Sequence, residues 1–188
     1  MEDLIIENGR SYSDNAKIKA EAWYDHFNKF HKIGSPEKDT IRNLITSIDG
    51  VIADDVGISV PEWGGFPGKY THRLMKYFPV EKLQNDYAAA TQHAAVALRT
   101  YAQHWDYPTT ISSEKYNNGI LLNKLMSDYP IYYMNAFVPD GYKKTYTEMP
   151  FEEMCSITPR YYALLSVIMQ FIDFIAISNS ENAYYNEI

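Results

Sequence analysis

The chain has 188 residues, 46% of them hydrophobic and 15% aromatic, which is enough apolar material for one ordinary domain and too much for a disordered chain. Its net charge is −7, with 17 basic against 24 acidic residues, and its longest basic run is Lys143-Lys144, so it lacks the cationic footprint that nucleic acid or an anionic membrane surface selects. A single cysteine, Cys155, can make no intrachain disulfide, and the acidic start Met1-Glu2-Asp3-Leu4 is unlike a secretion signal, so a reducing, cytoplasmic setting is expected.

Residues 1–12 read as an irregular lead-in. Ser13-Asp14 then caps a helix whose apolar stripe is Ala16, Ala20, Trp23, Phe27 and Phe30, at spacings of four and three. Lys17, Glu21, Asp25 and Lys32 fall on its wet face, and Gly34 ends it. Ser35-Pro36 opens a second helix with Ile41, Leu44, Ile45 and Ile48 inside, stopped at Asp49-Gly50. Glycines and prolines punctuate the next stretch to residue 68, which reads as a structured loop pinned by Trp63 and Phe66, with a short strand at 58–60.

A short helix at 70–78 stops before Pro79. The alanine-rich stretch 80–105 carries Leu83, Tyr87, Ala90, Ala94, Leu98, Tyr101 and Trp105 at helical spacing, and is expected to be the central helix of the fold. A further helix is predicted from Ser113 to about residue 127 around Leu121, Leu122 and Leu125. The β-branched and aromatic run 131–138, the turn Pro139-Asp140-Gly141 and the alternating run 142–147 predict a β-hairpin. Cys155 falls in a short helix of mixed polarity. Thr158-Pro159 starts a last helix to about residue 178, apolar nearly all round, which predicts burial on nearly all sides. Ser166, Gln170 and Asp173 interrupt that run, and a core helix accounts for it better than a membrane span. The expected fold is therefore mainly α: a helical bundle-like single domain over residues 1–188 with a small β-hairpin.

The side chains give no catalytic signature. His26 and His31 are five residues apart and His93 and His104 eleven, neither spacing that of a helical metal pair, so no metal and no cofactor are expected. Glu21 and Asp25 share a helix face with lysines, as an ordinary solvated face does. Gly64-Gly65-Phe66-Pro67-Gly68 lacks the lysine and hydroxyl residue of a phosphate-binding loop. Asp173, inside Phe171-Ile172-Asp173-Phe174-Ile175, is the one acid whose surroundings could perturb it, although an exposed helix edge explains it more simply.

Seventeen tyrosines are the main compositional excess. Tyrosine is enriched at protein interfaces, so Tyr132, Tyr133, Tyr142, Tyr146, Tyr184 and Tyr185, with Trp63 and Phe66, are candidate interaction residues. The reading that follows is a non-enzymatic structural or interaction protein in a homo-oligomer or larger complex, such as a ring or connector subunit of a virion, with protein partners and no direct contact with nucleic acid or membrane. One alternative is an acidic inhibitor that fills a basic site on a nucleic-acid enzyme. Another is a ligand-binding protein or enzyme whose pocket gathers Trp63, Phe66, His93 and Asp173.

Overall fold

The structure, a computed structural model, describes residues 11–31, 50–71, 80, 85–100, 109–126 and 132–185. The expected second helix and most of the helix at 70–78 lie outside these residues. The described elements are α1 (Tyr12–His31), β1 (Gly50–Ser59), β2 (Pro67–Gly68), β3 (Tyr87–Thr100), β4 (Thr109–Leu122), β5 (Phe137–Pro139), α2 (Phe151–Ile157) and α3 (Pro159–Tyr185), with 3-10 turns at Pro61–Trp63, Tyr132–Asn135 and Tyr146–Glu148.

The mainly α expectation is wrong. The strands form one five-stranded sheet in the order β2-β1-β3-β4-β5, and the fold is an α/β one. The central helix predicted at 80–105 is instead strand β3, and the helix predicted at 113–127 is β4. Alanine's helical preference is worth only tenths of a kcal/mol per residue, and tertiary pairing overrides it. The deciding pattern has period two: Ala88, Ala90, Gln92 and Ala94 are buried while Tyr87 and Ala89 are exposed. Ala94, Ala95, Val96 and Ala97 are all buried, as in a strand covered on both faces.

The predicted hairpin is also replaced. Its turn exists, closed by the Tyr142 amide donating to the Pro139 carbonyl at 3.1 Å, with Gly141 at φ 84°. But β5 pairs antiparallel with β4, Leu121 opposite Phe137 and Gly119 opposite Pro139, and Tyr146 begins a 3-10 turn. Gly119 is required there, because a Cβ would overlap the Val138 carbonyl.

The chain divides into two compact units, one of residues 1–54, 96–113 and 164–188, the other of 55–95 and 114–163. In the first, α1 starts at Ser11, two residues before its predicted cap. The Ser11 hydroxyl accepts from the Asp14 amide at 3.1 Å while the Asp14 carboxylate accepts from the Ser11 amide and hydroxyl, a reciprocal cap. Ala16 and Ala20 of the predicted stripe are fully buried, whereas Trp23 is exposed. In the second unit, Ile58, Val60, Leu121, Phe137 and Tyr146 are buried in one core. Tyr146 stacks on Phe137 with ring centroids 5.7 Å apart. Burying each such side chain stabilises by about 1.5–3 kcal/mol.

Helix α3 is where predicted but is not enclosed. Ala163 and Val167 are buried, while Leu165, Ile168, Met169, Ile172 and Ile175 are exposed. Among the described residues, Pro159–Ile177 is one helix long and apolar enough to cross a membrane, with 11% of it buried.

Candidate functional site

Strand β1 carries the clearest chemical anomaly. Its sequence, Gly-Val-Ile-Ala-Asp-Asp-Val-Gly-Ile-Ser, sets two carboxylates inside a β-branched run. Successive side chains on a strand point to opposite faces, so Asp54 and Asp55 do not share a surface. Asp55 is 7% exposed and is the one charged side chain among the buried described residues. A buried carboxylate is costly unless function or a partner retains it. The sequence pattern does not single it out, because the glycines and prolines that punctuate this stretch read as a loop. The available signal was the acidic pair itself, placed in an otherwise apolar strand. In the first unit Lys19 of α1 donates to the Asp54 carbonyl at 3.2 Å, fixing helix to strand through backbone.

His93 of β3 forms a second cluster. Its Nε2 lies 3.1 Å from the Ser59 hydroxyl, and its Nδ1 lies 3.8 Å from a Glu114 carboxylate oxygen on β4. The Tyr116 ring is tilted beside it, 6.3 Å between centroids. Burial holds the His93 pKa below its ordinary value, opposed by the Glu114 charge. The order hydroxyl, imidazole, carboxylate has the logic of a nucleophile, base and orienting acid. At 3.8 Å, however, Glu114 is an ion-pair neighbour and too far to fix the imidazole by a hydrogen bond.

A cleft of about 330 Å³ opens in the same unit, with Tyr116, Tyr142, Tyr162, Asn117, Asn118 and Asp140 among its lining. Aromatic rings beside amide groups suit a small planar polar ligand. Among the described residues no group of three or more His, Cys, Asp or Glu side chains converges on a metal position.

The residues expected from the sequence are placed variously. Tyr142 borders the cleft, but Tyr146 is core, its hydroxyl accepting from the Asn117 amide at 3.2 Å. Tyr133 is buried in the 3-10 turn it shares with Tyr132. The side chains of Tyr132, Tyr184 and Tyr185 lie outside the described residues. Trp63 and Phe66 pair with each other at 6.4 Å in the turn after β1. Asp173 is on the exposed side of α3. His93 lies beside Ser59, Glu114 and Tyr116.

The Ham1 family profile matches residues 1–170 of the chain. The chain belongs to the Ham1 family.

Its curated relatives include a dITP/XTP pyrophosphatase of Nautilia profundicola, 30% identical over 175 residues that span 85% of this chain and 75% of that protein. A protein of the same name from Sulfurovum sp. is 28% identical over 171 residues, 85% of this chain and 73% of that one. Among solved structures, the Staphylococcus aureus Ham1 protein superposes with a TM-score of 0.58 at 17% identity, over 90% of this chain and 80% of that one. A nucleoside-triphosphatase from Mycobacterium abscessus, also named a dITP/XTP pyrophosphatase, gives a TM-score of 0.53 at 21% identity, over 86% of this chain and 76% of that one. These likenesses fix the fold as that of the Ham1 family.

Membership overturns the expectation of a non-enzymatic structural or virion protein, because the matched relatives are nucleotide-hydrolysing enzymes. Neither the acidic inhibitor nor the pocket of Trp63, Phe66, His93 and Asp173 fits better. Nothing in these likenesses supports assembly into a particle.

Proposed function

We propose that this chain is a nucleoside triphosphate pyrophosphatase acting on the non-standard purine nucleotides dITP and XTP. Water attacks the α-phosphorus, the α–β anhydride bond breaks, and a nucleoside monophosphate and pyrophosphate leave. The observation that carries the reading is the family match over residues 1–170, joined to relatives of that name across 85% of the chain. The buried carboxylate supports it. Hydrolysis by water needs a base within reach of the attacking molecule, and Asp55 is the described acid held away from bulk solvent.

Pyrophosphate release by the purified full chain, measured with dITP, XTP, dATP and dGTP, tests the proposal. Faster release from dITP and XTP is expected. Asp55→Asn should lower turnover about 10²–10⁴-fold, the usual contribution of a general base, with circular dichroism unchanged. Absence of pyrophosphate from all four nucleotides would overturn the activity. Full activity in Asp55→Asn would remove that residue's role while leaving the activity standing.

A further inference from the structure

The cleft beside the Pro139–Tyr142 turn has a lining that backbone hydrogen bonds hold in place. The Asp140 amide donates to the Asn118 carbonyl at 2.9 Å and the Tyr142 amide to the Pro139 carbonyl at 3.1 Å, so the turn carries Asp140 and Tyr142 to the edge of β4. Tyr116 and Asn117 come from β4 itself, and Tyr162 from α3. At about 330 Å³ the cleft sits at the lower end of the ~300–1,000 Å³ that small-ligand sites span.

Charge decides what such a cleft accepts. Among the described residues Asp140 is the one charged side chain in the lining, with no lysine, arginine or histidine beside it there, so an anion is repelled and a cation attracted. Asn117 commits its amide hydrogens to the Tyr146 hydroxyl and the Ile157 carbonyl, which leaves its Oδ1 as an acceptor. Tyr116 and Tyr142 are 66% and 38% exposed and offer ring faces to a cation. A carboxylate, an amide oxygen and phenol rings together suit a planar cation with several N–H donors, which is a guanidinium. A quaternary ammonium uses the rings and leaves the oxygens unmet. The chain makes the same combination within itself: the Arg99 guanidinium sits 5.9 Å from the Tyr24 ring centroid, lies 3.7 Å from Glu21 and donates to the Thr110 hydroxyl.

We propose that this cleft binds an alkylguanidinium, free or at the end of an arginine side chain, with its N–H fork on Asp140 and its plane against a tyrosine ring. The inference is independent of nucleotide hydrolysis. Titration of the full chain with methylguanidinium, without nucleotide and up to ~20 mM, far below denaturing concentrations, tests it through the NMR shifts of the tyrosine rings. Methylurea keeps the plane without the charge, and tetramethylammonium keeps the charge without the N–H groups. Saturable shifts are expected with methylguanidinium, and at least ~10-fold weaker binding of the other two. Asp140→Asn should weaken methylguanidinium binding about tenfold or more, and Tyr116→Leu a few-fold, both at exposed positions where folding is little affected. Glu152→Gln, at an exposed acid outside the lining, should bind like wild type. N-acetylarginine amide binding as tightly as methylguanidinium assigns the cleft to an arginine side chain, and its exclusion assigns it to a free guanidine. Methylurea binding as tightly as methylguanidinium overturns the proposal, as does the absence of saturable shifts or an Asp140→Asn variant that binds unchanged.

Discussion

The Asn117 amide of β4 donates to the Tyr146 hydroxyl at 3.2 Å and to the Ile157 carbonyl at the end of α2. One side chain thereby satisfies both the core tyrosine and a helix-terminal carbonyl. Removing the donor and removing one acceptor should differ in cost. Asn117→Ala leaves two acceptors without it and should destabilise by about 1–3 kcal/mol. Tyr146→Phe keeps the stack on Phe137 and should cost only about 0.5–1.5 kcal/mol. Urea unfolding of the two variants checks the order, and a costlier Tyr146→Phe would show that the hydroxyl has partners of greater weight.

His93 sets a pH dependence whose sign can be worked out. Desolvation lowers its folded pKa from the ordinary 6.5, and the Glu114 charge only partly opposes this. The unfolded chain therefore binds more protons near that pH, so stability rises with pH through the window. The stability is fully present above about pH 6.5 and is lost as pH falls through the lower folded pKa. Denaturant midpoints measured from pH 5 to pH 8 should fall on the acid side of roughly pH 6.5. His93→Gln should flatten that slope, and Glu114→Gln should leave its onset in place but deepen the loss and extend it to lower pH, by removing the charge that favours the imidazolium.

Helices were largely legible in the sequence and strands largely were not. Helix α1 and helix α3 begin within two residues of their predicted starts, since Ser, Asp and Pro at a first turn act locally. Strand β3 was misread because its alanines satisfy a helical stripe and a period-two strand at once, and only the partners β1 and β4, remote in sequence, choose between them. Strand β1 was hidden by Gly50 and Gly57. With it went Asp55, whose meaning depends on burial, and burial depends on the sheet. Tyr146 failed as an interaction residue for the same reason: composition counts phenols, while packing on Phe137 decides which of them reach solvent.

In the first unit Arg99 and Glu21 test how far a polar cluster stabilises α1 against β3. Arg99 Nη1 lies 3.7 Å from Glu21 and donates to the Thr110 hydroxyl at 2.7 Å, and that hydroxyl donates to Glu21 at 3.2 Å. The guanidinium also sits 5.9 Å from the Tyr24 ring centroid. Glu21 is 45% exposed, so its share of the pair is screened and Glu21→Gln should cost less than about 1 kcal/mol. Arg99→Ala removes the hydrogen bond, the ring contact and a packed stem together, and should cost about twofold more or greater. Thermal melts at low and high salt separate the two, since only the ion-pair share fades with added salt.

Gly119 fixes the register between β4 and β5. It stands opposite Pro139, and a Cβ built on it would come within 2.9 Å of the Phe137 ring as well as striking the Val138 carbonyl. The carbonyl is backbone and cannot rotate aside, so an added methyl has to separate the strands or tilt Phe137 off Tyr146. Gly119→Ala should therefore destabilise by about 1–3 kcal/mol, the usual cost of overpacking. Gly64→Ala, where among the described residues no atom beyond its chain neighbours lies within 4 Å of the added Cβ, carries the strain of its φ of 66°. A melting temperature reduced more by Gly64→Ala than by Gly119→Ala would show that backbone strain, not strand approach, dominates at these glycines.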